Sequence, residues 1–248
     1  MIGIVAVSHS RALAEAAVEL ALQMGGAEPP VVRVAAGGPD GGLGTDAVAI
    51  ATAVDEADTG DGVLVLMDLG SAILSAETAL EFVGAPERVR LSSAPFVEGL
   101  VAAVVTAAGG ADLAAVATEV SGAGEAKRRQ LGDAADEQDD GRDAGDGVAA
   151  SGGGSPDAES FEAVVTNPSG LHARPAATFV KAASRYDADI RIVDLDAGGE
   201  EVSARSLLAL MALGVRRGSR VRVSATGPQA HPALVELRAL IDDGFGER

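Results

Sequence analysis

Two of the three histidines stand where an imidazole could do chemistry, and His172 is the clearer case. It lies in 167-NPSGLHARPAATFV-180, after loop-forming residues and just before a helix predicted to begin at Ala173. Pro175 suits the first turn of that helix, where its missing N–H is not needed. The free amides and positive dipole end of this turn favour an anion on the ring, and phosphate fits best. Arg174 adds a cation that can contact phosphoryl oxygens.

His9 follows the first predicted strand, in GIVAVSHS, and Asp68 follows the third, in LVLMDLGSA. If these strands are neighbours, both side chains lie at the carboxyl edge of a sheet, where α/β proteins build their sites. A carboxylate bonded to one ring nitrogen fixes the tautomer and leaves the other nitrogen nucleophilic. Ser71, in the turn before the next helix, is placed to bind phosphoryl oxygens. The loop 37-GGPDGGLGTD-46 is placed to bring backbone amides to the same point.

Other interpretations fit parts of these patterns. His172 has about equal weight as a plain helix cap, and His9 as a structural residue at a strand end. A Ser–His–Asp hydrolase would use Ser71, His9 and Asp68, but the G-x-S-x-G elbow is missing. The glycine-rich loop contains neither G-x-G-x-x-G nor a Walker pattern. The third histidine, His231 in 230-AHPAL-234, has no charged sequence partner and is expected to be a surface or capping residue.

Strands and helices alternate before residue 121, which predicts a doubly wound α/β domain with a parallel sheet and helices on both sides. Its expected strands are 2–7, 31–35, 62–68 and 88–93, and its expected helices are 10–23, 45–57, 71–83 and two Ala-rich helices after residue 93. The first helix shows an apolar stripe at helical spacing, made of Leu13, Ala16, Ala17, Leu20 and Ala21.

The order changes after residue 160 to βαββαβα, which predicts an α+β open-faced sandwich: an antiparallel sheet with helices on one face. The expected elements are 161–166, 173–185, 188–194, 200–204, 205–213, 220–226 and 230–243. Between the two patterns, apolar periodicity is lost and Gly, Asp, Ser and Ala dominate. We therefore expect domains at 1–122 and 160–248, joined by a flexible acidic linker at 123–159.

The net charge of −18 is unevenly spread: −12 in residues 1–120, −6 in 121–160 and 0 in 161–248. This acidity argues against non-specific nucleic-acid binding, and it suits either a partner with a basic face or solubility alone. The absence of cysteine excludes disulfides and thiolate chemistry. With no signal pattern and no long apolar run, we expect a cytoplasmic protein, and we expect neither a metal nor another cofactor.

The segment G-L-H-A-R-P-A resembles the active-site segment of HPr, the histidine phosphocarrier of the bacterial sugar phosphotransferase system. The likeness covers roughly 161–248 and includes 206-SLLALMALGV-215, which is similar to the second helix and partner-docking patch of that family. It implies that His172 accepts phosphate from enzyme I and that Arg174 steadies it. Leu208, Met211 and Leu213 would contribute to docking or to the core.

Ser206 matches the position of a regulatory serine in some HPr proteins, and it is a candidate regulatory site on that likeness. Its expected structural role is the N-cap of the second helix of the domain, and we favour that role. The preceding residue is Arg205, where the family more commonly has Lys, which weakens the case for regulation.

The segments VSHS, AAGG…GTD, DLGSA and 94-APFVEGL-100 resemble the mannose-type enzyme IIA fold. They are more similar still to DhaM, the phosphotransferase subunit family of PEP-dependent dihydroxyacetone kinases, because 69-LGSA-72 replaces the GGSP-like segment of sugar permeases. The likeness covers residues 1–120. It implies that His9 carries phosphate, that Asp68 orients it, and that the first domain forms a homodimer.

Together the two resemblances imply a phosphate relay from PEP through enzyme I to His172, then to His9. The DhaM likeness implies final transfer to ADP on the DhaL subunit, which serves dihydroxyacetone bound by DhaK. Because the sequence ends after the HPr-like segment, we expect enzyme I to be a separate protein. The linker would raise the effective concentration of one histidine near the other. The main alternative is an IIA–HPr component of a mannose-type sugar permease, and a phosphorylation-controlled regulatory module is a third interpretation.

Overall fold

The computed structural model describes residues 1–125, 127–128 and 158–247. Most of the predicted linker therefore lies outside the described residues. The described parts form two sheets of four strands each, one on either side of that segment. None of the helices in these parts is long and apolar enough to cross a membrane.

The first sheet is parallel throughout, with strand order β2-β1-β3-β4, and it confirms the predicted doubly wound α/β fold. Its strands are β1 Gly3–Ser8, β2 Val32–Ala36, β3 Val63–Met67 and β4 Val89–Ser92. Its helices are α1 Arg11–Gly25, α2 Ala47–Ala57, α3 Gly70–Ala79, α4 Phe96–Ala108 and α5 Leu113–Ser121, with a 3₁₀ turn at Pro86–Arg88. The strand order reverses between β1 and β3, so the carboxyl ends of these two strands meet at the switch point.

Both faces of this sheet are covered. All residues of β1 and β3 are buried, as continuous apolar runs in a parallel sheet predict. One core contains α1, α4 and α5, and the other contains α2 and α3. The sheet is thus buried on both faces, and its carboxyl edge carries the first candidate site.

The buried face of α1 differs from the predicted one. Leu13 and Leu20 are exposed, and the buried residues are Ala14, Ala17, Val18, Ala21 and Gly25. Both stripes have helical spacing, but the stripe of small residues lets α1 approach α4 closely. A Cβ placed on Gly25 would lie only 2.8 Å from Val104 Cγ1. Close packing of small side chains therefore outweighs burial of the two leucines.

The second sheet has strand order β5-β8-β6-β7 and is antiparallel, which confirms the predicted open-faced sandwich. Its strands are β5 Glu159–Val164, β6 Asp189–Asp194, β7 Val202–Ser203 and β8 Arg220–Thr226. Its helices are α6 Ala173–Ser184, α7 Leu207–Ala212 and α8 Ala230–Asp242, with a 3₁₀ turn at Gly244–Gly246. The first strand begins one residue before the predicted boundary at 160. Alternate residues of β8 are buried, so only one face of the sheet packs against the helices.

Candidate functional site

His9 and Asp68 meet at the carboxyl edge of the first sheet because β1 and β3 are hydrogen-bonded neighbours. His9 Nδ1 lies 3.0 Å from Asp68 Oδ1. The Asp68 side chain is 7% exposed and the His9 side chain is 25% exposed. The carboxylate is thus enclosed while the ring remains accessible from outside.

Four donors surround the Asp68 carboxylate. The His9 amide and the Ser8 hydroxyl donate to Oδ2 at 2.9 and 2.8 Å, and the Leu69 amide donates to Oδ1 at 2.7 Å. Burial opposes ionisation, but the hydrogen bonds from the His9 ring, the His9 amide, the Ser8 hydroxyl and the Leu69 amide outweigh it, and the pKa of Asp68 is lowered. An ionised carboxylate only accepts, so His9 Nδ1 carries the proton and Nε2 keeps its lone pair.

Ser8 is a member of this site that the sequence interpretation missed. It is fully buried at the last position of β1. Its hydroxyl oxygen also accepts from the Ser10 amide at 3.1 Å, which ties the turn after β1 to Asp68. A buried polar residue at the carboxyl end of a central strand is a signal that could have identified it.

Ser71 lies on the other side of the His9 ring, with its Oγ 2.9 Å from Nε2. It belongs to the first turn of α3, whose N-cap residue Leu69 makes no side-chain cap. Because Nε2 has the lone pair, the Ser71 hydroxyl donates to it in this state. The structure therefore brings Ser71, His9 and Asp68 together, as the sequence analysis expected. Ser71 contacts one ring nitrogen of His9 and Asp68 contacts the other, which is the arrangement of a Ser–His–Asp triad.

The glycine-rich loop contributes differently from the prediction. The Gly37 and Gly44 amides donate to the carbonyls of Ser8 and His9 at 3.1 and 3.0 Å. Within the loop, the Gly38 amide donates to the Gly42 carbonyl, and the Gly42 amide donates to the Asp40 carboxylate. These amides hold the backbone of the His9 segment in place and do not face an incoming anion. Gly37 has φ of +87°, a conformation that favours glycine at this turn.

His172 is the N-cap residue of α6, as predicted, but its side chain makes no capping hydrogen bond. Its Nε2 lies 3.0 Å from Glu247 Oε2, and its side chain is 40% exposed. The buried Asn167 side chain donates to the same Glu247 oxygen at 3.3 Å and to the Gly170 carbonyl at 2.6 Å. A carboxylate on Nε2 places the proton there and leaves Nδ1 of His172 with the lone pair.

Glu247 is 75 residues from His172, and no pattern in the sequence connects the two. Burial opposes ionisation of Glu247, but hydrogen bonds from His172 and Asn167 and the nearby Arg174 charge outweigh it, and its pKa is lowered. Arg174 is exposed in the first turn of α6, on the same side as this cluster. The second site is therefore a histidine held by a carboxylate, with a cation beside it.

On the role that the HPr likeness implies for His172, replacing Glu247 with Ala should slow phosphorylation of this histidine about tenfold. The reason is that the hydrogen bond to the charged carboxylate, which fixes the tautomer of the ring, contributes roughly that factor. Glu247→Gln keeps an oxygen acceptor and should recover most of the rate. The initial rate of labelling by phosphorylated enzyme I is the readout. Equal rates for wild type and Glu247→Ala would show that the ring is oriented by other groups.

Gly170 shapes the turn that leads into His172. It has φ of +67°, and a Cβ there would collide with the Val215 carbonyl oxygen, which accepts the Leu171 amide. We expect Gly170→Ala to destabilise the second domain by about 2–4 kcal/mol, from the left-handed backbone and the collision together. Gly198 has φ of +68° with open space around its Cβ position, so Gly198→Ala is the matched control and should cost about 1 kcal/mol.

Urea unfolding followed by Tyr186 fluorescence measures both variants, since this single tyrosine of the chain lies in the second domain. If the two substitutions lower the urea midpoint equally, the collision with the Val215 carbonyl does not contribute to the loss of stability in Gly170→Ala.

The remaining predicted residues have structural partners. Ser206 is the N-cap of α7, and its Oγ accepts the Ala209 amide at 3.0 Å. Leu208, Met211 and Leu213 are all half-buried. His231 is 75% exposed and pairs with Glu159 Oε2 at 2.8 Å, a partner that was not apparent from the sequence.

One family model matches each of the two domains. Residues 3–117 match the EIIA-man family model, described as PTS system fructose IIA component. Residues 159–243 match the PTS-HPr model, described as PTS HPr component phosphorylation site. A crystal structure of HPr-C-His from Thermoanaerobacter tengcongensis is 37% identical, with a TM-score of 0.34, over 36% of this chain and 98% of that one.

Several relatives match along the entire chain. The chain is 42% identical over 254 residues to the PEP-dependent dihydroxyacetone kinase, phosphoryl donor subunit DhaM, of Escherichia coli (strain K12). It is 39% identical over 251 residues to the protein of the same name from Klebsiella michiganensis. Each match covers 100% of this chain and 51% of the relative, so the chain spans about half the length of these curated relatives. An EIIA-man domain at residues 3–117 and an HPr domain at residues 159–243 are therefore present, and over its entire length the chain is similar to the DhaM phosphoryl donor subunits.

Proposed function

We propose that the chain is a two-station phosphohistidine relay that serves a dihydroxyacetone kinase. Phosphate passes from PEP through enzyme I to His172 and then to His9. From His9 it passes to ADP on DhaL, and the ATP formed there phosphorylates the dihydroxyacetone bound by DhaK. The observation that carries this proposal is that each histidine has one ring nitrogen bound to a carboxylate and the other left with its lone pair. That arrangement suits a nucleophile that must accept and release a phosphoryl group.

The two stations use opposite ring nitrogens. Nδ1 of His172 attacks the phosphorus carried by enzyme I, and the N–P bond forms as the bond to the donor breaks. Nε2 of His9 then attacks the same phosphorus, and His172 regains its lone pair. Because both bonds are phosphoramidates of histidine, neither transfer requires a large driving force and the relay is reversible.

Ser71 and α3 support the phosphoryl group at His9. The Ser71 hydroxyl now donates to Nε2, and it is free to turn to a phosphoryl oxygen once that nitrogen is bonded to phosphorus. The first turn of α3, with no side-chain cap at Leu69, directs its positive end to the same place. In the second domain, Arg174 has the corresponding role at His172.

The partners of this relay are also part of the proposal. Enzyme I is the donor, DhaL with DhaK is the acceptor, the first domain forms a homodimer, and the exchange takes place in the cytoplasm. The strongly acidic first domain suits a basic acceptor surface.

The acceptor can be identified by offering the phosphorylated chain each candidate acceptor in a separate reaction. The phosphorylated chain is supplied with DhaL carrying ADP, DhaK and dihydroxyacetone in one reaction, and with a mannose-type sugar IIB protein in the other. We expect dihydroxyacetone phosphate in the first and negligible transfer in the second. Transfer to the IIB protein alone would establish the sugar-permease alternative, whereas stoichiometric binding to a regulator without turnover would favour a regulatory module.

A hydrolase is the second candidate, because Ser71, His9 and Asp68 have the geometry of a catalytic triad. In the relay the nucleophile is the histidine, so His9 should still be labelled in Ser71→Ala. The rate should fall about tenfold, because one hydrogen bond to the charged phosphoryl group is lost. In a hydrolase the serine is the nucleophile, and the same change would abolish activity. Hydrolysis of a chromogenic ester by wild type that disappears in Ser71→Ala would favour the hydrolase.

A further inference from the structure

Helices of the first domain pack against helices of the second domain. Each domain contributes apolar side chains to the core of the other. Val105 of α4 is fully buried within the core cluster of the second domain. In return, Leu208 of α7 packs against the core of the first domain. Removal of both side chains from water stabilises the contact.

Polar contacts fix the alignment of the domains. Glu119, at the end of α5, accepts hydrogen bonds through Oε1 from the Ser206 hydroxyl at 3.1 Å and from the Leu208 amide at 2.8 Å. At the other end of the contact, Lys181 Nζ donates to the Met24 carbonyl at 2.9 Å. Burial at this position lowers the pKa of Lys181.

Two side chains of the second domain lie against glycines of the first domain. A Cβ on Gly109 would lie 2.9 Å from Ser184 Oγ, and a Cβ on Gly26 would lie 2.8 Å from Lys181 Nζ. At Gly109 a larger residue would press on the short Ser184 side chain, whereas at Gly26 the flexible Lys181 side chain could shift.

The contact covers the helix face beside His172. Ala173, Leu208 and Met211 of the second domain line a cavity of about 240 Å³, and Val97 and Val101 of α4 line its opposite wall. Leu208 and Met211 are half-buried, and the HPr likeness gives them a role in partner docking or in the core. A protein that needed this face would have to displace the first domain.

Both reactive rings are engaged within their own domains in this arrangement. His9 Nε2 is bonded to Ser71 and His172 Nε2 to Glu247. Met24 lies at the far end of α1 from His9, and a helix of this length spans about 22 Å. The contact at Met24 is therefore well separated from the first reactive ring.

We infer that the α4–α5 face of the first domain is a docking surface for the chain's own second domain, and that Glu119 secures it. In this docked state the α7 patch is masked from other proteins, and enzyme I gains access to it when the domains separate. The docking stands on the contacts themselves, and only its consequence for enzyme I rests on the proposed function. A tether supplies an effective concentration on the order of mM, so a weak contact is sufficient.

The inference is tested first in the full chain with Glu119→Ala. Exchange of the Leu208 amide proton, followed by NMR, should accelerate about tenfold, because that amide loses a charged acceptor. The radius of gyration from X-ray scattering should rise as the domains separate. Glu15→Ala removes the same charge from an exposed site on α1 and should leave both readouts unchanged. Unchanged exchange and scattering in Glu119→Ala would overturn the inference.

Charge reversal supplies a second, independent test. Ser206→Asp can still cap α7, but it places a carboxylate against Glu119 and should open the docked state. Adding Glu119→Lys should restore compact scattering in the double variant. A compact Ser206→Asp chain, or a double variant that remains as extended as Ser206→Asp, would contradict the proposed contact. None of these readouts requires phosphate transfer, so their outcome is separate from that of the relay.

Discussion

A chain carrying His172→Ala is expected to leave His9 unlabelled when PEP and enzyme I are supplied without added HPr. The reason is that His172 is the entry point of phosphate in the proposed relay, and its Nδ1 is the nucleophile that the Glu247 contact leaves available. Mapping of acid-labile phosphate by mass spectrometry measures both positions. Labelling of His9 should fall to background.

The third histidine provides the matched control. His231 is exposed and paired with Glu159, away from both sites, so His231→Ala should label His9 and His172 at the wild-type rate. Addition of a separate HPr should restore labelling of His9 in the His172→Ala chain, which would show that the first domain is intact. Normal labelling of His9 in His172→Ala with enzyme I alone would mean that phosphate enters the chain elsewhere.

Asp68→Asn is expected to slow transfer from His172 to His9 by about 10³- to 10⁴-fold, the loss seen when a catalytic histidine is held in the wrong tautomer. The Asp68 carboxylate accepts hydrogen bonds from four donors. In Asn, an NH₂ group replaces one of the two oxygens, so its two hydrogens face groups that are themselves donors. The first domain should also lose about 1–3 kcal/mol of stability, because buried donors are left without acceptors.

Single-turnover transfer to His9 separates the chemical effect from the loss of stability. His172 lies at the start of α6 in the second domain, so its labelling by enzyme I should remain normal in Asp68→Asn and reports a folded second domain. Because the pKa of Asp68 is lowered from 3.8, its carboxylate stays ionised above pH 5 and should add no inflection to the wild-type rate between pH 5 and 8. Normal transfer by a folded Asp68→Asn chain would remove Asp68 from the mechanism.

The parallel sheet was predictable because strands buried on both faces appear as continuous apolar runs, and Asp68 and His9 end two such runs. Their meeting depended on one condition, the pairing of β1 with β3, which the strand order satisfies. The antiparallel sheet was predictable for the complementary reason, since β8 alternates between buried and exposed residues. In both domains local periodicity carried enough information to place the elements within a few residues.

Long-range contacts were not predictable in the same way. Glu247 reaches His172 across 75 residues of sequence, and Glu119 reaches Ser206 across 87. A single glutamate in a helix or a terminal turn gives no local signal of its partner. The buried face of α1 was misjudged because two stripes had the same spacing and only the approach of α4 distinguishes them. The glycine-rich loop was misjudged because its amides satisfy neighbouring carbonyls, an outcome that depends on the folded chain.

The central claim is the order of the two stations, and a rapid-quench time course of the wild-type chain tests it most directly. With limiting labelled PEP and catalytic enzyme I, and without an acceptor for His9, the phosphate on each histidine is mapped at successive times. We expect His172 to be labelled first, followed by growth of label on His9 at the expense of His172 until the two equilibrate. Label that appears on His9 before His172, or at an undiminished rate while His172 remains empty, would contradict the relay.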